Sequence, residues 1–348
     1  MNQPHDVSLE WLRTLLSIDS PTGYTEAACD FIVESLKALG LHPVRTTKGA
    51  IRCALGPNPT IALAAHTDTL GAIITSIQSN GTLRFSPLGG PVLAVYDGAY
   101  VRVRTLEGKV VEGTMLLDNP SVHANNKAST AERTTSSMHV RLDEVVQSAD
   151  DVRKLGVRVG DIICVDPRTR TTSSGYIVSH FLDNKAGCVV LYDVARSLLQ
   201  SGTQWPVELF FSTYEEVGHG GTTGYSPTLK DLLVIDMGVV GDGLGGSETV
   251  VSICAKDSGG PYDYGFRKRL IELAERSEIP HSIDVYPYYS SDGTAAWRAG
   301  VDVRVALIGP GVHASHGVER AHIDGIRATT DLAISYIKDA LQSSPSHS

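Results

Sequence analysis

Positive charge is scarce in this sequence. Against 39 Asp and Glu there are 30 Lys and Arg, a net charge of −9, which argues against nucleic acid or an anionic membrane as the principal partner. No apolar run approaches the roughly 18 residues that a membrane span needs. The opening M-N-Q-P-H-D-V-S lacks the basic start and apolar core of a secretory signal. Cysteine is sparse too: Cys29, Cys53, Cys164, Cys188 and Cys254 are widely spaced and form no C-x-x-C. That pattern excludes a zinc ribbon, argues against a disulfide framework, and points to reduced thiols in a cytoplasmic protein. Aromatic residues make up only 6%, a poor supply for the sugar groove that a glycosidase places between paired carboxylates.

What is present is a pattern of strands and helices. The chain of 348 residues is long enough for two or three domains. Amphipathic periodicity predicts a first helix with Ser8 as its N-cap and Leu9, Leu12, Leu15 and Leu16 on one face. A second carries Ala28, Phe31, Ile32, Leu36 and Leu39 and ends at Gly40. The run Ile61 to Ala65 is wholly apolar, as in a strand buried on both faces of a mainly parallel sheet. From about Gly71 to Ser174 short alternating runs are separated by Gly and Pro turns, which predicts an inserted all-β barrel. Within it, Leu117 to Ser137 is polar and reads as a long loop, mobile or used at a subunit contact. The α/β alternation then resumes, with strands at 207–211, 232–235, 249–253 and 303–308 and a closing helix through Ile326 and Leu341. The tail S-S-P-S-H-S reads as disordered. The expected organisation is α/β, with residues 1–70 and 175–348 forming one domain and 71–174 the insert.

Candidate ligands stand where these strands end. His66 closes the run Ile61 to Ala65, in A-H-T-D-T-L-G, and Asp68 can accept a hydrogen bond from its other ring nitrogen. Asp183, in F-L-D-N-K-A-G-C, opens a helix, where an aspartate can cap the first turn or place its two oxygens on two cations. In T-Y-E-E-V-G-H-G-G, Glu215 and Glu216 leave a buried strand on opposite sides. One can bind a metal while its neighbour faces a bound water, which divides the work between a ligand and a general base. Asp236 ends another apolar strand, and His316 follows a strand and a Gly-Pro-Gly turn. Strand ends converge in an α/β sheet, and this mixture of nitrogen and oxygen donors suits two divalent ions, Zn or Co, with Mn also compatible.

The succession A-H-T-D, D-N-K-A-G, E-E-V-G, I-D and a final His resembles the tetrahedral aminopeptidases, the dinuclear deblocking or glutamyl aminopeptidases of metallopeptidase family forty-two. The resemblance spans nearly the whole chain. It implies a phosphopeptidase-like three-layer α/β/α domain carrying the β-barrel insert, and assembly into hollow homo-oligomers, commonly of twelve subunits. It also implies that His66 and Asp236 bind one metal, that Glu216 and His316 bind the other, and that Asp183 bridges. Glu215 becomes the general base, and Asp68 orients the first histidine. The expected activity is removal of N-terminal residues from peptides. The chain departs from the family pattern in H-G-G-T-T-G-Y after the glutamates, in M-G-V-V-G-D-G after Asp236 and in S-H-G-V-E, stretches that bear on the substrate pocket.

Two other readings remain open: an amidohydrolase of a small acylated or amidated dipeptide-like metabolite, and a catalytically silent scaffold subunit. Gly241, Gly243 and Gly246 satisfy G-x-G-x-x-G, but S-E-T-V-V-S-I after them reads as strand, so the helix N-terminus of a dinucleotide site is missing. His219 and His313 read as loop histidines beside a ligand set that is already complete.

Overall fold

A computed structural model describes residues 7–342; the opening residues 1–6 and the S-S-P-S-H-S tail lie outside this range. Four strands form the centre of the sheet. Ile61–His66, Val207–Ser212 and Asp231–Ile235 are buried throughout, and Arg304–His313 everywhere but its two ends. They run parallel, with Ile61–His66 between Val207–Ser212 and Asp231–Ile235, and Arg304–His313 beside the latter. Ile51–Ala54 pairs antiparallel on one side and Val251–Asp257 on the other, and His281–Val285 lies parallel beyond Val251–Asp257.

Alternation along these strands builds two cores. Leu63, Leu209, Leu233 and Ala306 pack with Leu15, Ile32, Val190, Leu270 and Ile334, which come from the helices Leu9–Ser17, Glu26–Ala38, Leu182–Leu199, Tyr264–Arg276 and Ile323–Gln342. The intervening Ala62, Ala64, Phe210, Val234 and Leu307 face the opposite way, against Tyr262, Tyr286 and Ala296 of the short helix Asp292–Arg298. A fully buried aliphatic side chain contributes about 1.5–3 kcal/mol, so both faces are needed to hold strands that carry charge at their ends. The architecture is the expected α/β one, three layers with the second helical layer thin.

The expected barrel is present: Gly71–Ile77, Leu83–Leu88, Met138–Leu142, Val110–Leu117, Tyr100–Arg104 and Ile162–Val165 close in that order. After Val165 the chain rejoins the larger sheet, where Arg170–Thr171 pairs with Tyr176–Ser179 and that strand pairs with Glu319–His322. The polar stretch after Leu117 folds into hydrogen-bonded turns. Arg133 ties it to Asp97 at 2.9 Å, and the Asp118 amide donates to the Ser137 carbonyl at 2.7 Å.

Two local expectations are corrected. Ser8 precedes the first helix but does not cap it, because its hydroxyl and amide donate to the Asp193 carboxylate at 2.5 and 3.0 Å. Gly309-Pro310-Gly311 is not a turn; it lies inside the strand Arg304–His313. The glycines are there for close approach, since a Cβ on Gly309 would collide with the Asp236 carbonyl, and one on Gly311 with the Ser247 carbonyl.

The barrel is clasped to the larger domain by Asp19. Its carboxylate accepts from Arg102 at 2.6 and 3.1 Å and from Arg104 at 2.5 and 3.0 Å, both on the barrel strand Tyr100–Arg104. Burial works to raise the Asp19 carboxyl, but the two guanidinium groups outweigh it and hold it below the ordinary carboxylate range. A lowered folded value stabilises the fold above that range and is lost as pH falls through it. Asp19→Ala is therefore expected to destabilise the protein by about 2–4 kcal/mol at neutral pH. Denaturant midpoints should show a difference that shrinks on acidification towards pH 3.

Candidate metal centre

Register brings the strand ends level. Ser212 pairs with His66, and Val234 with Ala64, so Asp236 stands two residues beyond Val234 as His66 stands two beyond Ala64. His66 Nε2 lies 3.1 Å from Asp183 Oδ1, 3.8 Å from Glu215 Oε2 and 4.0 Å from Asp236 Oδ1. On the other side, His316 Nε2 lies 3.5 Å from Asp183 Oδ2 and 3.7 Å from Glu216 Oε2. One carboxylate thus addresses both imidazoles, one oxygen to each. All six residues named from the sequence for metal binding and base catalysis meet here, and donor atoms of His66, Asp183 and Glu216 come within 4.8 Å of one another.

Three consecutive residues fix the central carboxylate. The Asp183 amide donates to Glu319 Oε2 at 3.0 Å. Asn184 donates to the Ile235 carbonyl at 2.8 Å and accepts from the Gly187 amide. Lys185, fully buried, donates to the carbonyls of Leu15 and Ile18 at 2.9 and 2.7 Å, closing the end of the first helix. Asp183 itself is not the helix cap: its two carboxylate oxygens face the imidazoles, and the Gly187 amide donates to the Asn184 side chain, after which the regular turns start. Left-handed backbone recurs around the centre, at Phe181 (φ 70°), Tyr214 (φ 70°) and His316 (φ 62°). A non-glycine residue takes that conformation only where its surroundings enforce it.

Asp68 acts differently from the expectation. The His66 Nδ1 partner is the Asp68 main-chain carbonyl at 2.9 Å, while the nearer carboxylate oxygen stands 3.7 Å away. That carboxylate accepts from the amides of Glu215 and Glu216, at 3.1 and 3.3 Å, and from the Thr22 hydroxyl at 2.7 Å. Asp68 therefore holds both the imidazole and the turn that carries the two glutamates.

Two further acids had no assigned role in the sequence. Glu319 accepts from the amides of both His316 and Asp183, each at 3.0 Å. Asp292 accepts from the Ser212 hydroxyl and, at 2.6 Å, from the Gly221 amide, so it grips the glutamate segment at both ends. Glu319 stood inside S-H-G-V-E as a visible signal. Asp292 gave none, because its partners lie 80 and 71 residues away. His316 Nδ1 pairs with the Gly90 carbonyl, from the barrel insert, at 2.8 Å. His219 stacks on Tyr214 and His313 is exposed; neither lines the cavity at the centre. The strand Val251–Asp257 follows the G-x-G-x-x-G stretch with no helix between.

Electrostatics favour cations here. Burial, reinforced by neighbouring acids, pushes Glu215 and Glu216 well above the ordinary carboxylate range, and Asp236 up to about 8. Burial works to lower His66, but the Asp183 hydrogen bond and the Glu215 and Asp236 charges carry it well above the usual imidazole value. The hydrogen bond to Asp183 takes His316 up to about 10 despite its burial. Burial would raise Asp183 as well, yet its two imidazole partners hold it down. Glu216 Oε1 is buried and has no hydrogen-bond partner. A buried carboxylate oxygen without a partner, among four acids and two imidazoles, fits ligation by divalent metal.

Comparison with known proteins identifies the family. The profile of the M42 glutamyl aminopeptidases matches residues 49–332. The chain belongs to the M42 peptidase family. YhfE of Bacillus subtilis, which carries an aminopeptidase name, is 39% identical over 339 residues, covering 96% of this chain and 98% of its own. A TET aminopeptidase from a marine-sediment thaumarchaeote superposes with a TM-score of 0.86 at 21% identity, over 95% of this chain and 96% of that one. The TET1 peptidase of Pyrococcus horikoshii, described as assembling into a tetrahedron or a large octahedral shell, gives 0.83 at 22% identity, over 94% and 98%. The M42 family is metal-dependent.

Removing a buried acid that holds ligands through their backbone should weaken metal binding without removing a donor. Glu319→Ala is expected to lower divalent-metal affinity roughly 10- to 100-fold, read by calorimetric titration of metal-stripped protein with Zn²⁺ or Co²⁺.

Proposed function

We propose that this M42 aminopeptidase cleaves N-terminal residues from peptides with two divalent cations and Glu215 as general base. The observation that carries the reading is Asp183, with one oxygen 3.1 Å from His66 Nε2 and the other 3.5 Å from His316 Nε2. His66 and Asp236 would hold one cation, Glu216 and His316 the other, and Asp183 would bridge. Zn or Co suits these donors best, with Mn also compatible. Bound there, the cations supply Lewis acidity and make water a nucleophile near neutral pH.

The chain's own residues do the rest. Glu215, with Oε2 3.8 Å from His66 Nε2, stands where it can take a proton from attacking water and give it to the departing amine. Asp68 keeps Glu215 and Glu216 in fixed relation through their amides. The cavity in front of them is about 770 Å³, room for several residues of a peptide. The convergence of a full ligand set with an intact candidate base argues against a silent scaffold subunit. Assembly into a homo-oligomer follows the architecture of the Pyrococcus horikoshii relative, which forms closed shells. No helix among the described residues is long and apolar enough to cross a membrane. All five cysteines are free and buried, which suits the reducing cytoplasm.

The test is Glu215→Gln. It should retain both metals by elemental analysis and lose turnover of aminoacyl p-nitroanilides by about 10²- to 10⁴-fold. Near-wild-type turnover would end the assignment.

A further inference from the structure

The wall of the cavity beside Asp236 is apolar and carries no cationic side chain. Met237 and Val239 follow Asp236 directly, and Leu244, Tyr286 and Tyr289 continue the surface. Among the described residues that line the cavity there is no Lys and no Arg. Basic groups in neighbouring segments are engaged elsewhere. Lys48 donates to the His219 carbonyl and, at 3.2 Å, to the Thr222 hydroxyl, and it lines a separate groove. Arg320 is paired with Glu248 at 2.7 Å.

One further charge lies on this wall. Asp242 is exposed at the rim and makes no hydrogen bond or ion pair among the described residues. Its loop is not loose: the Gly245 amide donates to Asp284 Oδ1 at 2.8 Å, anchoring the segment to the outer strand His281–Val285. Two divalent cations would balance Asp183, Glu215, Glu216 and Asp236, so Asp242 is the charge left uncompensated in the cavity.

We infer that this pocket selects N-terminal residues with apolar or basic side chains and rejects acidic ones, with Asp242 as the residue that discriminates charge. The inference rests on the aminopeptidase reading and departs from the glutamyl description of the matching family. A substrate's first side chain, next to the metal-side amine, falls on the wall that begins at Met237. A leucine side chain there gains by leaving water. A lysine side chain lays its methylenes on the same wall and brings its ammonium towards Asp242. A glutamate side chain loses hydration, finds no cation and meets a like charge.

The experiment uses the full-length, metal-loaded protein and p-nitroanilides of Leu, Lys and Glu. The Leu and Lys substrates should exceed Glu in kcat/KM by roughly 100-fold. Because Asp242 is solvent-exposed, Asp242→Asn should lower the Lys-to-Leu ratio by only about two- to fivefold, and Asp242→Lys should raise the Glu-to-Lys ratio. Glu turnover equal to that of Leu or Lys in the unaltered protein would overturn the inference, as would ratios that stay fixed in both variants. The hydroxamates of the same three amino acids, titrated calorimetrically into the metal-loaded protein, give an order that needs no catalysis. Loss of all turnover would count against the aminopeptidase reading alone, and the hydroxamate order then decides: leucine and lysine ahead of glutamate supports the pocket, and glutamate first or equal refutes it.

Discussion

Everything at the centre depends on a single buried carboxylate serving two imidazoles. Asp183 cannot serve both unless His66, from the middle of the sheet, and His316, from beyond its longest strand, reach it from opposite sides. Free rotation at any of the three would dissolve the arrangement. Its neighbours in sequence prevent that, because Asp183, Asn184 and Lys185 each bond to a different part of the fold. Stripping an acid of water costs several kcal/mol unless it is well paired, which is comparable to the contribution of a few buried leucines. Strands buried on both faces meet that cost, and the residues of the centre lie at or just beyond their ends.

The acids fall into two groups by what they touch. Asp183, Glu215, Glu216 and Asp236 present side-chain oxygens to one another and to the histidines. Asp68, Glu319 and Asp292 present theirs to main-chain amides and hydroxyls of the segments that carry those residues. Each member of the second group joins two or more segments through these bonds and so replaces loop flexibility with a fixed frame. The glutamate turn is held from three directions, by Asp68 beneath and by Asp292 at each end. That frame is why a 3₁₀ turn of Glu215–Val217 can hold two adjacent acids at defined angles.

Legibility in the sequence followed range. Apolar runs ending in His66, Asp236 or the Glu215–Glu216 pair were readable because strand burial and strand end are local signals. The barrel was readable from alternation. His281–Val285 was not, since only Asp284 of its residues is buried and the pattern at an outer strand carries little apolar contrast. The helix Asp292–Arg298 escaped because its capping box uses Thr294 in place of the usual Glu or Gln, with Gly293 beside it. Gly309-Pro310-Gly311 misled because the demand on those glycines comes from Asp236 and Ser247, far away in sequence. For Asp68 the right residue was identified with the wrong oxygen: residue type shows that a partner is available, and only the path of the backbone shows which atom is offered.

The Gly90 carbonyl that receives His316 Nδ1 belongs to the barrel, while the imidazole belongs to the sheet. The insertion is therefore no detachable accessory. Evolution could lengthen its outer loops freely, but the short segment around Gly90 is bound to keep step with a residue 226 positions later, and any transplant of the barrel between relatives has to carry that carbonyl with it.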